Sequence, residues 1–206
     1  MRYDMIELCI FDMGGVVIRD FHIAPRLLPF LGHEEPDFGE IDPQIQEALR
    51  EHSKGLIDER EFWDRYERIT GETVPNDQGS LLGKFFTPVL DGPTVDVIRS
   101  IKARGIRVVC GTNVIDSHYS IHAELGQYDI FDHVYASHLM HIAKPDGAFF
   151  HYICTAERVI PATTFFTDDL QENVEAAQKA GLKAFLYTGA ASLKRQLIDL
   201  GVLSEK

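Results

Sequence analysis

Three acidic positions stand where acidic side chains have no structural duty. Asp12 follows the apolar run 6–11, and Asp168 and Asp169 follow the apolar run 164–167. A third run, 106–110, ends at Cys110 and is followed by Gly111, Thr112 and Asn113, while Lys144 precedes Pro145 on a loop before a helix. Short, continuous apolar runs suit strands buried on both faces of a parallel sheet, and such sheets bind ligands beyond the carboxyl ends of their strands. Three carboxylates and one ammonium in one crevice add nothing to a sheet's stability. Carboxylates that close require a cation, and hard oxygen donors suit Mg²⁺. A lysine beside them would offset the charge of a phosphoryl group.

The rest of the chain supplies the elements that must hold these residues. From Asp91 onward helix and strand alternate. Helices are predicted over 94–104, with Pro93 in the first turn and Gly105 closing it, near 117–124, after Pro145, and from Gln171 to Gly181. Strands are predicted over 106–110, 134–136, 164–167 and 183–187. Alternation of this kind means a parallel α/β sheet. Residues 20–86 differ in character. Ile45, Ala48, Leu49 and His52 share one helical face, as do Phe62, Tyr66 and Ile69 beside Trp63, with breaks at Gly32, Pro36 and the turn 71–75. This helical stretch is an insert after the first strand.

At this point the chain resembles the haloacid dehalogenase-like hydrolases over essentially its whole length. Phe11-Asp12-Met13-Gly14-Gly15-Val16-Val17-Ile18 is similar to that family's first motif and Val108-Val109-Cys110-Gly111-Thr112-Asn113 to its second. Ala143-Lys144-Pro145 resembles the third, and Phe165-Phe166-Thr167-Asp168-Asp169 with Asn173 the fourth. Residues 55–63 resemble the helical cap of the subgroup that includes small sugar-phosphate phosphatases. The resemblance implies a Rossmann-like α/β core over 1–18 and 88–206, with a small helical cap over 19–87. It further implies a Mg²⁺-dependent phosphatase in which Asp12 forms an aspartyl-phosphate intermediate and Lys144 neutralises charge. Mg²⁺ would be held by Asp12, the Gly14 carbonyl and Asp169 directly and by Asp168 through water, with Asn173 in support. Cys110, Gly111 and Thr112 would meet the phosphoryl group.

Two positions depart from the family pattern. Where its phosphatases carry a second aspartate, two residues after the nucleophile, this chain has Gly14. General acid–base catalysis is worth about 10²–10⁴-fold, so the proton must come from elsewhere, with Asp20 and His22 on the cap side as candidates, or the leaving group must need little help. Cys110 stands where the family places Ser or Thr, and a thiol donates hydrogen bonds poorly. Its alternative role is that of a small buried hydrophobe. Two rival readings accompany the phosphatase: a haloacid dehalogenase acting through an Asp12 ester, which has no use for the Asp168–Asp169 pair, and a catalytically impaired binding or regulatory protein that keeps the fold.

Composition limits the partners. Twenty Lys and Arg against 32 Asp and Glu leave a net charge of −12, which disfavours nucleic acid and anionic membrane surfaces. Residues 33–72 hold 13 acidic and five basic side chains, as expected of solvated helix faces. With 45% hydrophobic residues, 206 residues are enough to bury a sizeable core. Cys9, Cys110 and Cys154 are scattered and form no CxxC, which reads as reduced thiols in a cytoplasmic protein. The first residues, Arg2 and Asp4 among them, show no signal-peptide core, and no apolar stretch reaches 18 residues. A small phosphorylated metabolite is the expected partner; the pattern specifies no oligomeric state. His118 and His122, spaced i,i+4 among six histidines between 118 and 151, are expected to be solvated rather than a Zn²⁺ site. Gly14-Gly15 is a tight turn and not a dinucleotide fingerprint, since GxGxxG is absent. Trp63, Phe62 and Tyr66 are expected in the cap's core, and Phe85-Phe86 in hinge packing.

Overall fold

The computed structural model describes residues 5–75 and 79–205; residues 1–4 with Arg2 and Asp4, residues 76–78 of the expected cap and residue 206 lie outside the described residues. The chain opens on β1, Leu8–Phe11, passes Asp12 and forms β2, Ile18–Arg19. Five helices follow: α1 Ala24–Phe30, α2 Phe38–Ile41, α3 Pro43–Ser53, α4 Glu59–Thr70 and α5 Leu81–Lys84. β3, Val89–Leu90, returns antiparallel to β2, with Ile18 opposite Leu90 and Arg19 opposite Val89. Then come α6 Gly92–Lys102, β4 Arg107–Thr112, α7 Asp116–Glu124, β5 His133–Ala136, α8 Ser137–Met140 and α9 Gly147–Glu157. After a 3₁₀ turn, β6 Thr164–Asp168, α10 Gln171–Lys179, β7 Lys183–Leu186 and α11 Ala190–Asp199 complete the chain.

The main sheet has the order β5-β4-β1-β6-β7 and every neighbouring pair is parallel. β1 is central and fully buried, so its side chains alternate between two apolar layers. Leu8 and Ile10 pack with Phe149, Phe150 and Ile153 of α9 and Val174 and Ala177 of α10. Cys9 and Phe11 face the other layer, with Val95, Ile98 and Ile101 of α6 and Leu193 and Leu197 of α11. The fold is thus a Rossmann-like α/β core with a helical cap inserted after the first strand. Among the described residues, no helix is long and apolar enough to cross a membrane.

The inserted helices obey the same local chemistry. Asp42 and Asp58 cap α3 and α4 by accepting the backbone N–H of Gln44 and Glu61, and Gly71 closes α4 in the left-handed region at φ 74°. Phe62 and Tyr66, one turn apart on α4, are buried against Phe38, with ring centroids 5.6 and 6.5 Å away in edge-on contact. Trp63 joins the group 4.8 Å from Phe62. Emptying the Phe62 site would cost about 3–5 kcal/mol.

Three features differ from the sequence expectation. β4 runs two residues beyond Cys110, because Gly111 and Thr112 keep pairing with Tyr135 and Ala136 of β5 after β1 has ended at Phe11. The β2–β3 ribbon is too short to carry any periodicity. The histidines divide: His133, His141 and His151 are exposed, whereas His122 and His138 are buried and His118 stacks on Phe86. Solvation therefore fails for that second group: His118 and His122 of α7 lie against Phe86 beyond α5, and His138 of α8 lies against Tyr119 of α7.

Candidate active site

The register of the sheet brings the site together. Phe11 lies opposite both Cys110 and Thr167, so Asp12 emerges between the ends of β4 and β6. Asp12 is 8% exposed, Lys144 5% and Asp168 0%, whereas Asp169 is exposed to solvent. The Lys144 ammonium bridges the two buried carboxylates, 2.5 Å from Asp12 Oδ1 and 2.7 Å from Asp168 Oδ2. It lies within 6 Å of the Phe149 and Phe166 rings, at 5.9 and 5.5 Å. Burial works against the charged ammonium, but Asp12 and Asp168 outweigh it and hold Lys144 above the ordinary lysine value.

Asp168 is fully engaged. Besides Lys144, it accepts the Leu170 N–H at 2.9 Å on Oδ1, and the Asn173 amide donates to both oxygens at 3.0 Å. This arrangement orients the carboxylate that anchors Lys144. From the other side Asn113 holds the lysine's backbone: its Nδ2 donates to the Lys144 carbonyl and its Oδ1 accepts the Lys144 N–H, both at 2.9 Å. The sequence places Asn113 beyond the apolar run and in the second motif, but gives no sign that it holds the distant Lys144 backbone.

The site carries an excess of negative charge. One oxygen each of Asp12, Asp168 and Asp169 lies within 4.8 Å of the others, with a single ammonium among them. Burial, reinforced by Asp168 and opposed by Lys144, pushes the Asp12 carboxyl up to about 7. Burial and Asp168 also raise Asp169, with Lys144 and His22 pulling the other way. Three carboxylates against one ammonium leave two negative charges, which a divalent cation with a preference for oxygen would neutralise. The donor set suits an oxygen-preferring divalent ion such as Mg²⁺, which Asp12, Asp169 and a backbone carbonyl could hold.

The turn after Asp12 is built around glycine. Gly15 has φ 72°, and a Cβ there would stand 2.1 Å from Asp169 Oδ2, so the exposed carboxylate sits directly over a bare backbone. Arg19, on β2, donates to the Gly15 carbonyl at 2.6 Å and the Ile18 carbonyl at 3.0 Å, and reaches Tyr187 OH at 3.1 Å. It ties the turn to the end of β7, a role the sequence does not display.

The expected substrate-side residues separate. Cys110 is wholly buried in the apolar layer that holds Phe11, and burial raises its thiol well above the ordinary value. Gly111 packs so closely that a Cβ would lie 2.9 Å from Ile10 Cγ2. Thr112, with Asn113, lines a cleft beside the site. Of the two cap-side acids considered, His22 lines that cleft and Asp20 does not. Phe86 also lines it, beyond its expected hinge packing.

A family model described as haloacid dehalogenase-like hydrolase matches residues 6–181. The chain is 27% identical to a sesquiterpene phosphatase of Aspergillus oryzae, over 94% of this chain and 96% of that one. A HAD-family enzyme from Bacteroides thetaiotaomicron, solved with magnesium and inorganic phosphate, superposes with a TM-score of 0.69 at 24% identity, covering 88% of this chain and 93% of its own. A predicted HAD-like hydrolase from Porphyromonas gingivalis superposes with a TM-score of 0.75 at 22% identity, covering 94% and 98%. These two likenesses establish the shared fold.

Proposed function

The chain belongs to the haloacid dehalogenase-like hydrolases, and on that premise we propose that it hydrolyses a small phosphate monoester, in a Mg²⁺-dependent reaction, with Asp12 as nucleophile. The observation that carries this reading is the buried Lys144 bridge between Asp12 and Asp168. A carboxylate is a weak nucleophile toward a dianionic phosphate because like charges repel. Lys144 offsets that repulsion on the enzyme side. Asp12, the Gly14 carbonyl and Asp169 would hold Mg²⁺, which when bound neutralises phosphoryl oxygens and polarises the phosphorus.

An Asp12 oxygen attacks phosphorus, the bond from phosphorus to the ester oxygen breaks, and the phosphoryl group passes to Asp12 as an acyl phosphate. The departing oxygen keeps the electron pair and must gain a proton. Water then attacks the phosphorus, the Asp12–phosphorus bond breaks, and inorganic phosphate and the free carboxylate result. Thr112 and Asn113 stand where the ester group would enter. Lys144, anchored by Asp168 and Asn113, stays in place through both steps because its partners are themselves fixed.

The test is phosphate release from a panel of phosphate monoesters with Mg²⁺ and with a chelator. Turnover in Mg²⁺ that the chelator abolishes supports the reading. Halide release from 2-haloacids in chelator, with no phosphate release, would replace it with the dehalogenase reading. Magnesium binding without turnover of any ester would replace it with a binding protein.

A further inference from the structure

A cleft of about 280 Å³ lies beside the site and beneath the inserted helices, and Met13 and Gly14, which follow Asp12 in the chain, line it together with Thr112 and Asn113. Beyond these the walls include Ile18, Phe21, Ile23, Phe38, Phe86 and Ile115. Polar side chains also line the cleft: His22, Gln46 and Thr112 make no side-chain hydrogen bond among the described residues, whereas others are already committed to the protein. Asp37 accepts the N–H groups of Gly39 and Glu40 that open α2. The Ser53 hydroxyl donates to the Arg50 carbonyl. His118 Nε2 lies 3.3 Å from the Leu82 carbonyl while its ring lies flat on Phe86 at 3.7 Å. His122 Nδ1 is 2.5 Å from Gln127 Oε1. Among the described residues, no Lys or Arg lines the cleft.

We propose that the organic part of the substrate is an uncharged, hydrocarbon-rich body seated in this cleft, with its phosphoryl group at Asp12. The proposal rests on the reading of Asp12 as the nucleophile of a phosphate monoester hydrolase and adds the class of ester. A sugar phosphate carries a hydroxyl on nearly every carbon, and each one buried without a partner weakens binding about ten- to a hundredfold. Here three uncommitted side chains, His22, Gln46 and Thr112, are left to serve as partners, fewer than the hydroxyls of a hexose phosphate. A second phosphate or a carboxylate on the substrate would meet no Lys or Arg. A buried methylene, by contrast, gains about fourfold in affinity. At interior packing density the cleft accommodates about a dozen heavy atoms.

Two series on the same protein test this. The first measures kcat/KM in Mg²⁺ for primary n-alkyl phosphates from ethyl to octyl, with glucose 6-phosphate as a hydroxyl-rich primary ester. The second titrates the matching n-alkyl phosphonates, which are not hydrolysed, by calorimetry. Both kcat/KM and phosphonate affinity should climb about two- to fourfold per methylene until the cleft is full, leaving octyl phosphate about a hundredfold ahead of glucose 6-phosphate. Phosphonate affinity that is flat with chain length, with glucose 6-phosphate the equal of octyl phosphate, overturns the apolar body and leaves the hydrolase reading intact. Rising phosphonate affinity without hydrolysis of any ester supports the apolar cleft and removes the hydrolase reading.

Discussion

Phe21 fills the space that a side chain at position 14 would take: a Cβ built on Gly14 would stand 3.0 Å from Phe21 Cε2 and 3.2 Å from its Cδ2. The missing aspartate and the aromatic ring therefore belong together. Restoring the acid alone makes the half-buried ring give way by a few tenths of an ångström, at a cost of up to about 1–3 kcal/mol. Gly14→Asp should destabilise the protein by that amount and add little activity on alkyl phosphates. Gly14→Asp with Phe21→Ala should exceed Phe21→Ala alone by about 10- to 100-fold in kcat. Urea unfolding and kcat on one alkyl ester decide it, and a full gain from Gly14→Asp alone would contradict the steric account.

If Asp12 acts as proposed, the absence of a carboxyl at position 14 means that the departing oxygen would leave carrying most of its charge. The plot of log(kcat/KM) against leaving-group pKa, taken across esters of similar size and polarity, should fall steeply. Aryl phosphates should lead alkyl ones by about 10²-fold or more. A flat plot would show that another group delivers the proton, and His22 on the cleft wall would be the first to replace.

Asp12→Asn should abolish phosphate release while the protein unfolds at an unchanged or higher urea concentration, since one of three converging negative charges is gone. Lys144→Ala should lose activity and stability together, because it leaves two buried carboxylates facing each other. Turnover by Asp12→Asn would mean direct attack by water.

Asp169 sits over Gly15 with no room for a methyl group between them. Asp169→Ala should weaken Mg²⁺ binding at least about tenfold in a calorimetric titration. Gly15→Ala should do the same by displacing the intact carboxylate, and should also lose about 1–2 kcal/mol of stability from a left-handed alanine. Unchanged Mg²⁺ affinity in both variants would remove Asp169 from the ion's holders.

Burial holds the His118 imidazole down to about 4, against the Leu82 carbonyl, which favours the charged ring. The unfolded chain takes up that proton near 6.5 and the folded one only near 4, so the contribution is complete above pH 6.5 and is lost as pH falls toward 4. At full extent it amounts to up to about 3 kcal/mol. His118→Phe, which keeps the stack on Phe86, should lose less stability than the wild type between pH 7 and 4.5 in urea unfolding. Identical losses would clear His118 of the effect.

The strands that carry Asp12, Asp168 and Lys144's neighbours were legible because each is a short apolar run whose burial is written in its own residues, as Leu8–Phe11 shows. The anchoring of Asp168 by Asn173 was also legible, since both belong to one continuous stretch and meet across a helix's first turn. What escaped depends on contacts between distant segments. Thr112 belongs to β4 only because Ala136 pairs with it, and His122 is buried only because Gln127 and Phe86 close around it. Gly14 stood out as a departure, but the ring that explains its size lies seven residues away on the other side of β2.

Arg19 and Val89 are cross-strand partners, and about seventy residues of chain lie between them. For the polypeptide as a whole this stretch is a loop whose ends are already joined, and the entropy of such a closure grows only with the logarithm of its length, about 0.6 kcal/mol for each doubling. A change in the length of this stretch therefore adds little closure entropy, and the parallel strands on either side of it pair with one another and not with it. The roof of the cleft can thus vary in length while Asp12, Lys144 and Asp168, with Asn113 and Asn173 that brace them, are all held by chain outside the closed stretch.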